Sequence, residues 1–271
     1  AEIVILTILN SVEKLIINLD SVYDTLTAVD KLAKLTDKPL EESGMIPMTK
    51  TDQGILLQGE NISYSYSEKQ PVLHDLNFDF QPGQLICIQG KAGTGKSTLL
   101  RLLDGAYTDF TGSLQMDKIP VRNFELNSLR GQIGILLHQH DIFQGTLWEN
   151  ITMGRENVSI EKVVELFQKV SLSAYFSTLP KGFDTELNPT GQRLPRQIIH
   201  KILLVRALIG SPRLLLLEEP WSGMDSGTKN KVIALLQEYQ SSTRVVVSND
   251  EAFATTCDQV LLMTEDGTLV K

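Results

Sequence analysis

Between Gly90 and Thr98 the chain reads GKAGTGKST: a glycine, four residues, a second glycine, then Lys96 and Ser97. The segment follows the apolar run LICIQ and precedes TLLRLL, which opens a helix. Strand, glycine-rich loop and helix start, in that order, form a cradle for phosphate. Glycine backbones let several N–H groups turn inward around phosphate oxygens, and the helix N-terminus adds its partial positive charge. Lys96 is then placed to reach β- and γ-phosphates, and the Ser97 hydroxyl to supply an oxygen to Mg2+. A purely structural glycine turn would need neither Lys nor Ser at those offsets.

A second group of residues complements the first. LLLLEEP, Leu214 to Pro220, ends four leucines on Glu218 and Glu219. Adjacent carboxylates at the end of a buried strand are costly unless a cation or solvent faces them. The two readings are therefore a metal-facing acidic strand end and a plain solvated terminus. The triplet His138-Gln139-His140 is not read as a separate metal site, because no Cys or further His stands at a supporting spacing.

These groups need a sheet and helices to hold them. GILLQGENISYSYSEKQPVLHDLNFDFQPGQLICIQG alternates short β-type runs with turn signals, which predicts antiparallel strands ahead of a buried strand at residues 85 to 89. SIEKVVELFQKV and IIHKILLVRALI have helical spacing, whereas RLLLLEEP and TRVVVSND read as strands covered on both faces. The expected class is α/β with a β-rich front portion. Residues 1 to 38 contain neither Gly nor Pro, and Ile5, Ile8, Val12, Leu15, Leu19, Val22, Leu26 and Val29 advance by alternating steps of three and four. That predicts one long helix with an apolar stripe, about 55 Å from end to end if continuous. Its opening IVILTIL falls far short of the ~20 apolar residues that cross a bilayer. The stripe suits packing against the following domain, packing against a copy of itself, or the cytoplasmic end of a helix whose membrane part lies outside the sequence. TDKPLEESGMIPMTKTDQG is rich in breakers and charge and reads as a linker, giving a lead-in of residues 1–45 and a domain of residues 46–271.

A length of 271 residues with 42% hydrophobic side chains supplies a real core. The formal net charge of −8 argues against a broad nucleic-acid surface, so any phosphate is held locally. Cys87 lies inside an apolar run far from Cys257, and the pair reads as two core thiols in a reducing compartment. The start lacks a basic leader and a small-residue cleavage site, so no signal peptide is expected, and an initial Ala suits a chain cut from something longer.

The order of these motifs resembles that of the ATP-binding cassette (ABC) ATPases of the exporter type, from YDTLTAVDKL and PLEESG through to DQVLLMTEDGTLV. The resemblance implies a P-loop ATPase fold with a mixed sheet, an antiparallel β subdomain and a helical subdomain. It implies ATP and Mg2+ as cofactors, with Gly90, Lys91, Ala92, Gly93, Thr94, Gly95, Lys96, Ser97 and Thr98 around the phosphates and Tyr66 of YSYS stacked on adenine. Glu219 falls at the position that orients the attacking water, and Asp225 of WSGMD at the end of the loop that communicates across a dimer.

Four positions depart from the family pattern. Family members carry PEGYDT, eight residues, then LSGGQ and RQRIAxARAL; here PKGFDT is followed by eight residues, LPRQI and IHKILLVRAL. Both flanks agree only if Leu194-Pro195-Arg196-Gln197-Ile198 is the signature segment, so Gly191-Gln192 lies upstream of it. Pro195 offers neither the hydroxyl nor the N–H that the family turns toward a nucleotide on the opposite subunit, which weakens that contact. Arg196 adds charge there. IGILLH places His138 where a Gln meets Mg2+ and water, with Gln139 one residue late. Glu218 replaces the usual metal-holding Asp and keeps the carboxylate on a longer arm. Asn249 occupies the switch-histidine position, where it can hydrogen-bond a γ-phosphate but cannot carry a proton.

The function that the resemblance implies is that of the ATP-binding and ATP-hydrolysing domain of an ABC exporter, at the cytoplasmic face of a bacterial inner membrane. Its partners would be the transmembrane domain of the same transporter and a second nucleotide-binding domain, with no nucleic acid. The alternative is an ATP-binding clamp with negligible hydrolysis, the silent half of a heterodimer. A soluble ABC ATPase acting on DNA or ribosomes is disfavoured by the acidic balance and the amphipathic lead-in.

Overall fold

The computed structural model describes residues 2–37, 41–67, 71–156, 158–189 and 194–271. They divide into two units, Ala1–Glu42 and Ser43–Lys271. The first is one helix, α1 (Glu2–Thr36), of 35 residues. Val12, Leu15, Leu19, Val22 and Leu26 are all exposed, and Asp30 pairs with Lys34 one turn on at 2.7 Å. Among the described residues no helix is long and apolar enough to cross a membrane. The division falls slightly ahead of the boundary drawn from the breakers. Gly44 donates to Phe124 O at 3.0 Å and Ile46 to Asn123 O at 2.9 Å, so this stretch belongs with the second unit.

The second unit runs β1 (Leu57–Ser65), β2 (Pro71–Phe80), β3 (Leu85–Gln89), α2 (Lys96–Leu103), β4 (Phe110–Met116), β5 (Ile119–Pro120), α3 (Leu126–Gly131) and β6 (Ile133–Leu136). A helical stretch comes next, with β7 (Gly145–Thr146), α4 (Leu147–Thr152), α5 (Ile160–Lys169), α6 (Ser173–Phe176), β8 (Glu186–Leu187) and α7 (Arg196–Leu208). The chain then returns through β9 (Leu214–Glu218), α8 (Ser226–Glu238), β10 (Thr243–Val247), α9 (Glu251–Ala254), β11 (Gln259–Met263) and β12 (Leu269–Val270).

Two main sheets result. The antiparallel one has the order β2-β1-β4-β5. The larger has the order β12-β11-β3-β10-β9-β6, and from β11 to β6 every pair is parallel. Parallel strands covered on both faces need apolar residues at every position, which is why LICI, LLLL and RVVV show no alternation of character. The alternation appears in what each residue touches. Ile86, Ile88, Leu214, Leu216, Val245 and Val247 pack toward the antiparallel sheet and α2. Cys87, Leu215, Leu217 and Val246 point the other way, against Ile202 and Val205 of α7 and Val232 and Leu236 of α8. Both cysteines are free thiols, Cys87 buried and Cys257 half-buried.

Arg213, 7% exposed at the entry to β9, pins the front of this unit. Its guanidinium donates to Gln53 O at 2.7 Å, Thr49 O at 3.1 Å, Gly54 O at 3.3 Å and the Asp117 carboxylate at 2.8 Å. A buried cation is tolerated when its donors are satisfied in this way, and removing it strands the acceptors. Arg213→Ala should lower unfolding free energy by about 3–5 kcal/mol, read as a lower urea midpoint.

Candidate functional site

Because β3, β10, β9 and β6 run parallel, their carboxyl ends open along one edge of the sheet, the place where such sheets hold ligands. The loop after β3 carries Gly90 at φ 146°, Gly93 at φ 84° and Gly95 at φ 95°. A Cβ at Gly90 would also lie 2.5 Å from Met263 O, so the first glycine is demanded by space as well as by conformation. No side chain caps α2, whose first N–H groups therefore stay available at the loop. Lys96 turns back over the loop, with Nζ 2.8 Å from Gly90 O and 3.3 Å from Thr94 Oγ1, and it also bonds Lys91 O. Burial lowers the Lys96 pKa, against the upward pull of Glu218 and Glu219. Ala92 and Gly93 form the exposed tip, where Lys91 pairs with Glu265 at 2.5 Å.

Glu218 and Glu219 do different things. Oε1 of Glu218 accepts from Ser97 Oγ at 2.5 Å, and Oε2 accepts the peptide N–H of His138 at 2.9 Å. Glu219 sits at φ 43°, a left-handed conformation that costs a non-glycine residue about 1–3 kcal/mol. Hydrogen bonds hold it there, one of them from the Ser222 N–H to its carbonyl at 2.9 Å. Its N–H donates to Val247 O at 2.9 Å, its carbonyl accepts from His200 Nε2 at 3.0 Å, and its carboxylate accepts from Ser248 Oγ at 3.2 Å. A carbonyl can only accept, so the His200 tautomer is fixed with the proton on Nε2.

The other candidate residues find partners within the chain. Asn249 faces the first glycine of the loop, with Gly90 N–H donating to Oδ1 at 2.9 Å and Nδ2 donating to Gly90 O at 3.1 Å. His138 reaches Glu218 through its backbone. Its imidazole lies along a cavity of about 200 Å3 shared with His140, Arg196, His200 and Ser222. Gln139 accepts from Arg101. Pro195 is the residue before α7, its carbonyl accepting from Ile198 N–H at 2.8 Å, and Arg196 pairs with Asp141 at 3.0 Å. Asp225 caps α8 by accepting from the Thr228 N–H at 2.9 Å and hydroxyl at 2.7 Å, bonds that hold its pKa below the usual range. Tyr66 is half exposed; its hydroxyl is 2.9 Å from Thr98 Oγ1 and its ring stands edge-on to Tyr64 and Tyr107. Gly191 and Gln192 lie outside the described residues.

Sequence reasoning missed His200 and Ser248. A polar residue between the buried Ile199 and Ile202 of α7 was the available signal for the first, and position next to Asn249 at the end of an apolar strand for the second.

The donor set fits Mg2+, since a hydroxyl and a carboxylate already meet at 2.5 Å beside the loop and both are hard oxygen ligands. A glycine loop with Lys and Ser, set on a parallel sheet next to a strand ending in carboxylates, defines a P-loop nucleotide-binding domain.

The comparisons narrow that class. A family model for the ABC transporter domain matches residues 73–222, and the chain belongs to the ABC transporter family. The uncharacterized ABC transporter ATP-binding protein YfiB of Bacillus subtilis (strain 168) is 32% identical over 216 residues, 79% of this chain and 37% of that protein. The ATP-dependent lipid A-core flippase of Coxiella burnetii (strain RSA 493 / Nine Mile phase I) is 28% identical over 249 residues, 91% of this chain and 42% of that protein. A bacterial Atm1-family ABC exporter solved with ATP bound shares the fold at a TM-score of 0.81 and 23% identity, over 92% of this chain and 44% of that one. The chain thus spans less than half the length of these relatives, and it carries an ATP-binding domain of the exporter type.

Burial lowers the His200 pKa below its ordinary 6.5, against the upward pull of its hydrogen bond to the Glu219 backbone, and the charge of Arg196 adds to the lowering. The unfolded chain therefore binds this proton more readily than the folded one, and stability falls as pH drops below about 6.5. The melting midpoint should decrease between about pH 7.5 and pH 5.5, and by less in His200→Gln, which keeps a donor for the Glu219 carbonyl without a titrating ring.

Proposed function

We propose that this domain binds ATP through loop 90–98 and hydrolyses it as the engine of an ABC exporter. In this scheme α1 is the cytoplasmic end of the last membrane helix, and the whole transporter sits with this domain on the cytoplasmic side of a bacterial membrane. The observation that carries the proposal is the meeting of Ser97, Glu218 and the strained Glu219 at one edge of the sheet. The backbone N–H groups of the loop and Lys96 would receive the β- and γ-phosphates, and Tyr66 would offer its exposed face to the base. Mg2+, held by Ser97 and Glu218, would neutralise charge building on the phosphates. Glu219 would orient the attacking water and take its proton, with Ser248 holding the carboxylate and His200 the backbone carbonyl behind it. Two such domains closing on ATP and parting after hydrolysis would move the membrane partner.

A second reading is favoured by specific contacts: a clamp that binds ATP with negligible turnover, paired with a competent partner. Gln139 is engaged by Arg101, Asn249 by Gly90, and Pro195 has neither hydroxyl nor N–H, while the loop itself is intact.

The two readings separate on one comparison. For the engine, Glu219→Gln should cut steady-state hydrolysis by about 100-fold or more and leave nucleotide affinity within about threefold, because the amide keeps the shape but cannot accept a proton. Tight binding with no Glu219-dependent turnover by the wild-type chain would abandon the engine for the clamp.

A further inference from the structure

We propose that Asn249 is a positioning residue for the phosphate loop, acting through the Gly90 backbone and contributing equally to the binding of nucleoside di- and triphosphates. The inference rests on the nucleotide reading of loop 90–98 and adds what the residue at the switch position does in this chain.

The carboxamide matches a single residue's backbone on both sides. Oδ1 takes the Gly90 N–H at 2.9 Å and Nδ2 gives to the Gly90 carbonyl at 3.1 Å, so acceptor and donor are both committed and the amide orientation is fixed. An imidazole, the side chain expected here by resemblance, holds its two ring nitrogens on diverging directions and cannot make that pair. With Asn at this position the side chain grips the loop.

What the carboxamide holds is the hinge of the cradle. Gly90 is the first residue past β3 and lies close against the β11 end, with Met263 O 2.5 Å from where a Cβ would be. Its carbonyl also accepts from Lys96 Nζ at 2.8 Å. One peptide oxygen thus links Asn249 to the ammonium that serves the phosphates. Asn249 is in turn held by its neighbours. Ser248 N–H donates to Ile88 O at 3.1 Å, and Asp250 caps α9 by accepting from Phe253 N–H at 2.8 Å and pairs with Lys229. The ends of β3 and β10 are therefore clipped together at the point where the loop begins.

A clip of this kind shapes the loop before any phosphate arrives, so its loss is felt by every ligand of the loop. A γ-phosphate contact would be felt by triphosphates alone.

The test uses the full chain. Affinities for Mg2+ with ADP and with the non-hydrolysable analogue AMP-PNP are measured by calorimetry for wild type and Asn249→Ala. Backbone hydrogen exchange over residues 90–95 is followed without nucleotide. The variant should bind both ligands about tenfold more weakly, the loss expected from two neutral hydrogen bonds, with the ratio of the two affinities unchanged. Exchange in the loop should accelerate while the melting midpoint stays in place. Weakened AMP-PNP binding with intact ADP binding would overturn the proposal, as would unchanged affinities or unchanged loop exchange. If Asn249→Ala fails to fold, Asn249→Ser, which is polar but too short to span both Gly90 groups, gives the same comparison. A wild-type chain that binds neither nucleotide would defeat the nucleotide reading, and loop exchange would still decide the clip.

Discussion

The carboxylate of Glu218 is the constraint around which the functional edge is arranged, because one oxygen holds Ser97 of the phosphate loop and the other holds the N–H of His138 beyond β6. β9 lies between β10 and β6, so this side chain ties its own strand end to segments arriving from either side of it. Glu219 and Asn249 extend the lattice, the first to Val247 and Ser248 of the β10 end and the second to Gly90 beyond β3. Four strands are thereby joined by polar contacts where their apolar packing stops. Polar atoms concentrated at that edge are costly without partners, and the carboxylates of Glu218 and Glu219 and the carboxamide of Asn249 find theirs within it.

The same arrangement shows why a strained residue can persist. A left-handed glutamate is tolerated only where its surroundings over-determine it, and here bonds from the β10 end, from α7 and from Ser222 do so. The two apolar layers beneath supply the rigidity: Leu214 and Leu216 on one face and Leu215 and Leu217 on the other leave β9 no freedom to rotate and relieve the strain at its end. Arg213 at the opposite end of the strand fixes it from behind.

The loop and the acidic strand end were legible in the sequence because each depends on local spacing, and the central strands because buried parallel strands must be apolar throughout. The long lead-in helix was legible from its three-and-four stepping. What the sequence withheld was which polar groups meet. Asn249 could be placed in register by counting, but its partner is Gly90, reached only because β10 lies beside β3 with Val247 opposite Ile88. Gln139 finds Arg101 and Arg196 finds Asp141 for the same nonlocal reason. His200 was hidden differently: a histidine within an apolar helix face gives no sign of whether it is merely buried or bonded to a distant carbonyl.

Loop 90–98 is clipped at Gly90 by Asn249 and braced at Ser97 by Glu218, so the cradle is shaped before any phosphate arrives. Solving the structure of this chain with Mg2+ and AMP-PNP tests it most directly. The expected result is a triphosphate within residues 90–97 with Asn249 still paired to the Gly90 backbone. Nucleotide lodged elsewhere, or an Asn249 carboxamide that has left Gly90 for the γ-phosphate, would contradict it.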